Sequence, residues 1–237
     1  METFAEFLER IDQFEQAELS LPEEGFLVSP SLNKKVHSDN TFRDFYGDTV
    51  VFDLAEKDKV WLATLVQKLY DELSVCFAEA FPVSSYHMTL HDLSSGSHLS
   101  GLTAELETNC QRLKRQLLSQ PLFSQKIKMR SNFIFNMVNT SLVMGLVPAS
   151  EADYTKLTSL YALVDDVKAL PYPFTPHITL AYYNIDGFSA EQVRKLKGLV
   201  VELNKTQHDF VLDSEKLYYQ TFTSMKEYQS VFPLFKE

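Results

Sequence analysis

Glycine is scarce in this chain, with 7 among 237 residues, and none falls in a G-x-G-x-x-G or G-x-x-x-x-G-K-[ST] run. That argues against a glycine-rich loop wrapping phosphate at a helix start. G-x-S-x-G is missing too, which argues against a hydrolase nucleophile elbow. Only 2 cysteines occur. Cys76 and Cys110 both fall in predicted helices and read as buried thiols of a reducing compartment, not as a disulfide or a metal pair. Basic charge is short as well: 22 Lys and Arg stand against 32 Asp and Glu, a formal net charge of −10. A long nucleic acid needs many phosphate contacts with Lys and Arg, so it is not an expected partner, whereas a small anion in a locally basic cleft is compatible. No apolar run approaches the ~18 residues of a membrane span. The stretch carrying Glu2, Glu6 and Glu9 has no apolar core of a signal peptide. A cytoplasmic protein with no membrane partner is therefore expected, with a monomer as the favoured state. At 45% hydrophobic the chain is ordinary for a globular protein with a sizeable core.

Taken in order, Thr3-Phe4-Ala5-Glu6 is a capping box. It opens a helix with Phe4, Phe7, Leu8, Ile11 and Phe14 on one face, which predicts packing against the domain in preference to a partner-binding stripe. Residues 1–21 form this N-terminal helix, and 22–48 an irregular arm with Pro22, Gly25, Pro30 and Gly47. A strand over 49–54 leads to a helix over 56–80 with Leu62, Leu65, Leu69, Leu73 and Cys76 inward. After a Ser/Gly loop, Ser100 is a candidate cap for a helix to about 119. Pro121 breaks the pattern. Strands at 126–137 and 141–147 flank a tight turn at Asn139-Thr140. A helix with Tyr154, Leu157, Leu160 and Val164 follows, then one capped by Ser189, and finally strands to the end. The element order strand, helix, strand, helix, strand occurs twice. The fold class expected is α+β: two pseudo-symmetric lobes, each an antiparallel sheet with helices outside, around a central cleft. The whole chain, 1–237, reads as one bilobal domain, with the first lobe at about 49–138, the second at about 139–237, and strand exchange between them.

Each half holds one H-x-T-L tetrapeptide, in Tyr86-His87-Met88-Thr89-Leu90-His91 and in Pro176-His177-Ile178-Thr179-Leu180. Strand side chains alternate. His87, Thr89 and His91 then share one face, as do His177 and Thr179, while Ile178, Leu180 and Tyr182 face the other way. Two His and two Thr converging on a cleft suit phosphodiester chemistry. One imidazole activates the nucleophile, the other protonates the leaving oxygen, and the hydroxyls donate to phosphoryl oxygens.

This pattern resembles the 2H phosphoesterase superfamily, which includes 2′-5′ RNA ligase-like proteins and cyclic nucleotide phosphodiesterases. The resemblance spans roughly residues 45–225. Phe45-Tyr-Gly-Asp-Thr-Val-Val-Phe followed by Ser85-Tyr-His-Met-Thr-Leu looks like one branch of bacterial and fungal members. It implies a bilobal fold, no metal or other cofactor, His87 and His177 as acid and base in either assignment, and Thr89 and Thr179 as phosphate ligands. It implies opening of a 2′,3′-cyclic phosphate or a 2′-5′ linkage in a small nucleotide or RNA end. The N-terminal helix and arm depart from minimal members and leave the substrate open, because the arm can roof the cleft.

Further candidates are His91 on the site face, Arg43 on the arm, and aromatics near the motif strands (Tyr86, Phe174, Tyr182, Tyr183, Tyr218), of which one or two, Tyr182 among them, would stack on a base. Lys126, Lys128 and Arg130 form either a solvated face or a source of positive potential for the cleft. His87-x-x-x-His91 has the spacing of a helical zinc pair, but the motif glutamate is missing and the local pattern is a strand, so no metal is expected. The same four residues would equally serve a module that binds a nucleotide or phosphate without cleaving it.

Overall fold

Capping chemistry and apolar periodicity account for most of the elements in the computed structural model, which describes residues 2–16, 19–120 and 122–235. Pro121 lies outside the described residues. Helix α1 (Phe4–Gln16) starts at the predicted box: the Glu6 N–H donates to Thr3 Oγ1, and the Thr3 N–H donates to Glu6. The arm contributes the short strand β1 (Gly25–Phe26) and buries Leu32, Val36, Phe42 and Phe45. Then come β2 (Tyr46–Asp53), α2 (Glu56–Leu73), β3 (His87–Gly96), α3 (Leu99–Ser119), β4 (Lys126–Met137) and β5 (Ser141–Pro148). The second half continues with α4 (Glu151–Asp165), β6 (His177–Tyr182), β7 (Phe188–Ser189), α5 (Ala190–Leu203), β8 (Asp209–Asp213), β9 (Leu217–Ser224) and β10 (Glu227–Pro233).

Several boundaries differ from the sequence reading. Residues 19–21 are not helical, so the N-terminal helix does not reach 21, and the strand expected over 49–54 spans Tyr46–Asp53, so the arm ends at Phe45. Helix α2 stops at Leu73, not near Ala80. Residues 76–78 are drawn out of the helix by the end of β6: the Asn184 N–H donates to the Cys76 carbonyl and the Ala78 N–H to the Tyr182 carbonyl. Ser100 sits inside the first turn of α3, whose cap position is His98 without a side-chain bond. Ser150 and Ser189 do cap α4 and α5, each accepting from the N–H three residues on.

The fold is α+β, with two antiparallel four-stranded sheets in the orders β10-β9-β2-β3 and β8-β4-β5-β6, and a small third sheet pairing β1 with β7. The sheets correspond strand for strand, β3 with β6, β2 with β5, β9 with β4 and β10 with β8. Each half lends strands to the other, the first half one and the second half two. β4, which follows the first motif, lies in the second sheet, and β9 and β10, at the far end of the chain, return to the first. The motif strands β3 and β6 are the edge strands that face each other across the middle. Among the described residues no helix is long and apolar enough to cross a membrane.

The apolar stripe of α1 packs on the second sheet. Phe7 and Ile11 are buried in one cluster with Phe133, Phe135, Val143 and Tyr154. Tyr154 sits 5.1 Å from the Phe7 ring, and its hydroxyl donates to the Glu2 carbonyl. Burial of each large apolar chain is worth ~1.5–3 kcal/mol. Phe7→Ala is expected to lower unfolding stability by about 3–4 kcal/mol, read as a shift of the urea midpoint without a change of slope.

Candidate active site

The two motif strands share an irregularity that decides what enters the cleft. In β3, Val51 pairs with Thr89 and Val50 with His91, so Leu90 is an extra residue. In β6, Val143 pairs with Thr179 and Leu142 with Ala181, so Leu180 is the extra residue. Each bulge follows the motif threonine directly and resets the alternation. His87 and Thr89 keep to one face, and His177 and Thr179 do likewise, as expected. His91 does not join them. It is carried to the face of Val50, is 1% exposed, and bonds through Nε2 to Asp165 Oδ1 at 3.0 Å. Its Nδ1 meets the Asp92 carbonyl and its ring lies 4.9 Å from Tyr161. With both ring nitrogens engaged inside the protein, His91 has nothing left for a ligand, which corrects its assignment to the site face. Asp92 takes its place, exposed and in register with Thr49 on the cleft side. In the second copy Tyr182 moves to the cleft side in the same way, paired with Ser141.

The two histidines are held alike. His87 Nδ1 lies 2.7 Å from the Ser85 carbonyl and His177 Nδ1 lies 2.8 Å from the Thr175 carbonyl, each two residues upstream. A carbonyl only accepts, so Nδ1 carries the proton and Nε2 is left with the lone pair in both neutral rings. Neither Nε2, nor the hydroxyl of Thr89 or Thr179, has a protein partner among the described residues. Burial lowers the pKa of His87, with the bond to the Ser85 carbonyl and nearby Asp92 opposing the shift and His177 adding to it. Burial also lowers His177, against the Thr175 carbonyl and Asp92. Both rings are therefore neutral near pH 7, and Asp92 is the carboxylate that favours the proton on both.

A cavity of about 720 Å³ opens beside His87, lined by Asp53, Tyr218, Gln220, Tyr228 and Ser230 among others. That is within the ~300–1,000 Å³ of small-molecule sites. Tyr228 sets its ring edge-on to His87 at 4.7 Å. Its hydroxyl pKa is pushed well up by burial, with Tyr182 and Asp92 adding to the shift, so it remains a donor. Of the other aromatics, Tyr86 and Tyr183 are core, Phe174 stacks on Tyr161 at 4.6 Å, and Tyr218 lines the cavity. Tyr182 lies under the arm: Lys35 sits 5.3 Å over its ring and donates to its hydroxyl at 3.4 Å. Arg43 is exposed and bonds to Lys35 only through its backbone N–H, so the arm's cation on a motif strand is Lys35. Lys126, Lys128 and Arg130 are exposed along β4. Asp92 is masked in the sequence by the bulge, and Tyr228 by the return of β10 to the first sheet.

No family model matches the chain, and no curated protein does. Among solved structures the fold is shared with ATU0111 from Agrobacterium tumefaciens, a conserved protein of unknown function, at TM-score 0.72 and 16% identity over 93% of this chain and 99% of that one. E. coli LigT complexed with 3′-AMP aligns at TM-score 0.46 and 12% identity over 80% of this chain and 97% of that one. TT0787 of Thermus thermophilus aligns at TM-score 0.45 and 14% identity over 81% and 100%. At 16% identity the likeness to ATU0111 is one of fold.

Two titrations check the electrostatics. The ring protons of His87 and His177, followed by NMR, are expected to titrate below about 6.5 in the free protein. Asp92→Asn removes the charge that favours their protonated forms, so both midpoints are expected to fall further.

Proposed function

We propose that the cleft hydrolyses a phosphodiester bond in a small nucleotide, in the manner of 2H phosphoesterases and without a metal. The observation that carries this reading is the matched setting of the two imidazoles, each with Nδ1 tied to a carbonyl and with neither its Nε2 nor the hydroxyl of the threonine two residues on partnered among the described residues. With phosphorus between the strands, one neutral imidazole takes a proton from water as its oxygen bonds to phosphorus. The other, protonated, gives its proton to the ester oxygen as the old P–O bond breaks. The product is a phosphate monoester, and the proton count balances. Thr89 and Thr179 donate to the non-bridging oxygens, where charge develops. An anionic ligand between the rings favours their protonated forms, so substrate itself supplies part of the drive for the acid to load.

The rival reading is capture of a nucleotide or phosphate without cleavage. One observation favours it: burial holds both histidines below their ordinary pKa, so the free protein has no preloaded acid near pH 7. Mass spectrometry separates the two, since capture gives a thermal shift with no product.

For the enzyme, His87→Ala and His177→Ala are each expected to lose about 10²–10⁴ in kcat on adenosine 2′,3′-cyclic phosphate, with EDTA present throughout. Thr89→Val and Thr179→Val are expected to lose about 10²-fold or more. Because both imidazole pKa values are lowered, the kcat/KM bell is expected to peak below about pH 6.5. Full turnover by both histidine variants sinks the reading.

A further inference from the structure

The lobes are related by their strand order, yet they differ at one pair of matching places. On the first sheet the register runs from Thr89 to Val51 to Tyr218, and over Tyr218 lies the open cavity. On the second sheet the register runs from Thr179 to Val143 to Phe135. Over Phe135 stands Phe14 of α1, with ring centroids 4.9 Å apart. Phe7 and Ile11 of the same helix are buried beside it. The counterpart of the cavity is thus filled by the chain's own N-terminal helix.

The helix is also fastened to the approach of the second motif. Arg10 donates to the Phe174 carbonyl at 2.9 Å and to Thr175 Oγ1 at 3.3 Å, while Glu2 takes its charge. Thr175 is the residue whose carbonyl orients His177.

We propose that α1 makes the catalytic cleft one-sided. The organic part of the substrate lies over the first sheet, against Tyr218, Gln220, Tyr228 and Ser230, and the second-sheet side of the phosphorus admits only water. This rests on the phosphoesterase reading and narrows its substrate class to phosphoesters with one organic flank, such as nucleoside 2′,3′-cyclic phosphates, over 2′-5′-linked dinucleotides with two. Cavity charge agrees with a single nucleoside and no second phosphate. Lys59 is 2.7 Å from Asp53 and Lys226 is 2.7 Å from Glu79, so both lining cations are already paired.

The test uses the full chain and two substrates, adenosine 2′,3′-cyclic phosphate and 2′-5′-linked adenylyl-adenosine. The parent is expected to favour the cyclic substrate by about 100-fold in kcat/KM, and Phe7→Ala, which loosens α1, to reduce that preference by about tenfold. Turnover of both substrates by the parent within about threefold overturns the proposal, while leaving the phosphoesterase reading intact. So does an unchanged preference in Phe7→Ala when hydrogen exchange shows α1 released. A second variant needs neither turnover nor a loosened helix. Ser230→Trp narrows the cavity from an exposed strand position and is expected to weaken adenosine 3′-monophosphate binding by about tenfold while leaving inorganic phosphate within about twofold, by calorimetry. Equal effects on the two ligands, or none on the nucleotide, overturn the proposal. Absence of any turnover with this binding pattern retained refutes the phosphoesterase reading alone.

Discussion

The extra residue that directly follows each motif threonine decides which side chains face the cleft. With Leu90 and Leu180 inserted into the ladder, each strand keeps its His and Thr on one face and then reverses phase. The extra leucines are among the most buried residues in the protein, at 1% and 0% exposure, so the bulges are anchored by core packing and not left to the mobility of an edge. An unbroken strand would have aimed His91 into the cleft and left an alanine, Ala181, at the matching place. The bulge instead commits His91 to Asp165 and hands the two matching cleft positions to Asp92 and Tyr182. One carries a negative charge that acts on both imidazoles; the other carries an aromatic ring beneath Lys35. The asymmetry between the copies is therefore an asymmetry of electrostatics as much as of shape.

The motifs, their duplication and the α+β class were legible because they depend on local order: a period of two or of 3.6, a capping serine, a tetrapeptide that repeats. What escaped depends on partners distant in sequence. A bulge leaves no mark in composition; it is a property of how β2 and β5 count against their neighbours. The end of α2 is set by Asn184 and Tyr182, more than a hundred positions on, and no propensity at 74–80 announces it. Tyr228 was hidden for the same reason, since nothing in its own segment tells that β10 crosses back to the first sheet. The stripe on α1 was legible as a packing face, but the sequence had no means of saying which surface it covers.

Burial ties the fold to the reactivity of the site. The chain is acidic overall, and the cations that line the cavity beside His87, Lys59 and Lys226, are paired with carboxylates, while Lys35 of the arm sits over the Tyr182 ring. Half-buried imidazoles in such a place resist protonation, which keeps a lone pair on each outward Nε2. The carbonyls of Ser85 and Thr175 fix the tautomer without adding a full charge. Asp92 supplies the opposing pull from its exposed place on the cleft side. On the proposed reading, a neutral pair that gains a proton when an anion arrives would be a sharper device than a permanently charged pair, because its acid form depends on having something to bind.

On the proposed phosphoesterase reading, duplication would give a phosphoester two ways to sit between the two histidines, and an enzyme gains little from an ambiguous pose. The N-terminal helix lies outside the duplicated order and acts on one copy alone. It covers Phe133, Phe135 and Val143 on the second sheet while Tyr218 and Gln220 on the first stay open. By filling one of two matching hollows, an appended helix can turn a symmetric scaffold into a site with a direction without altering either tetrapeptide. The four motif residues would then be constrained by the reaction, and the choice of substrate by the elements laid over the sheets.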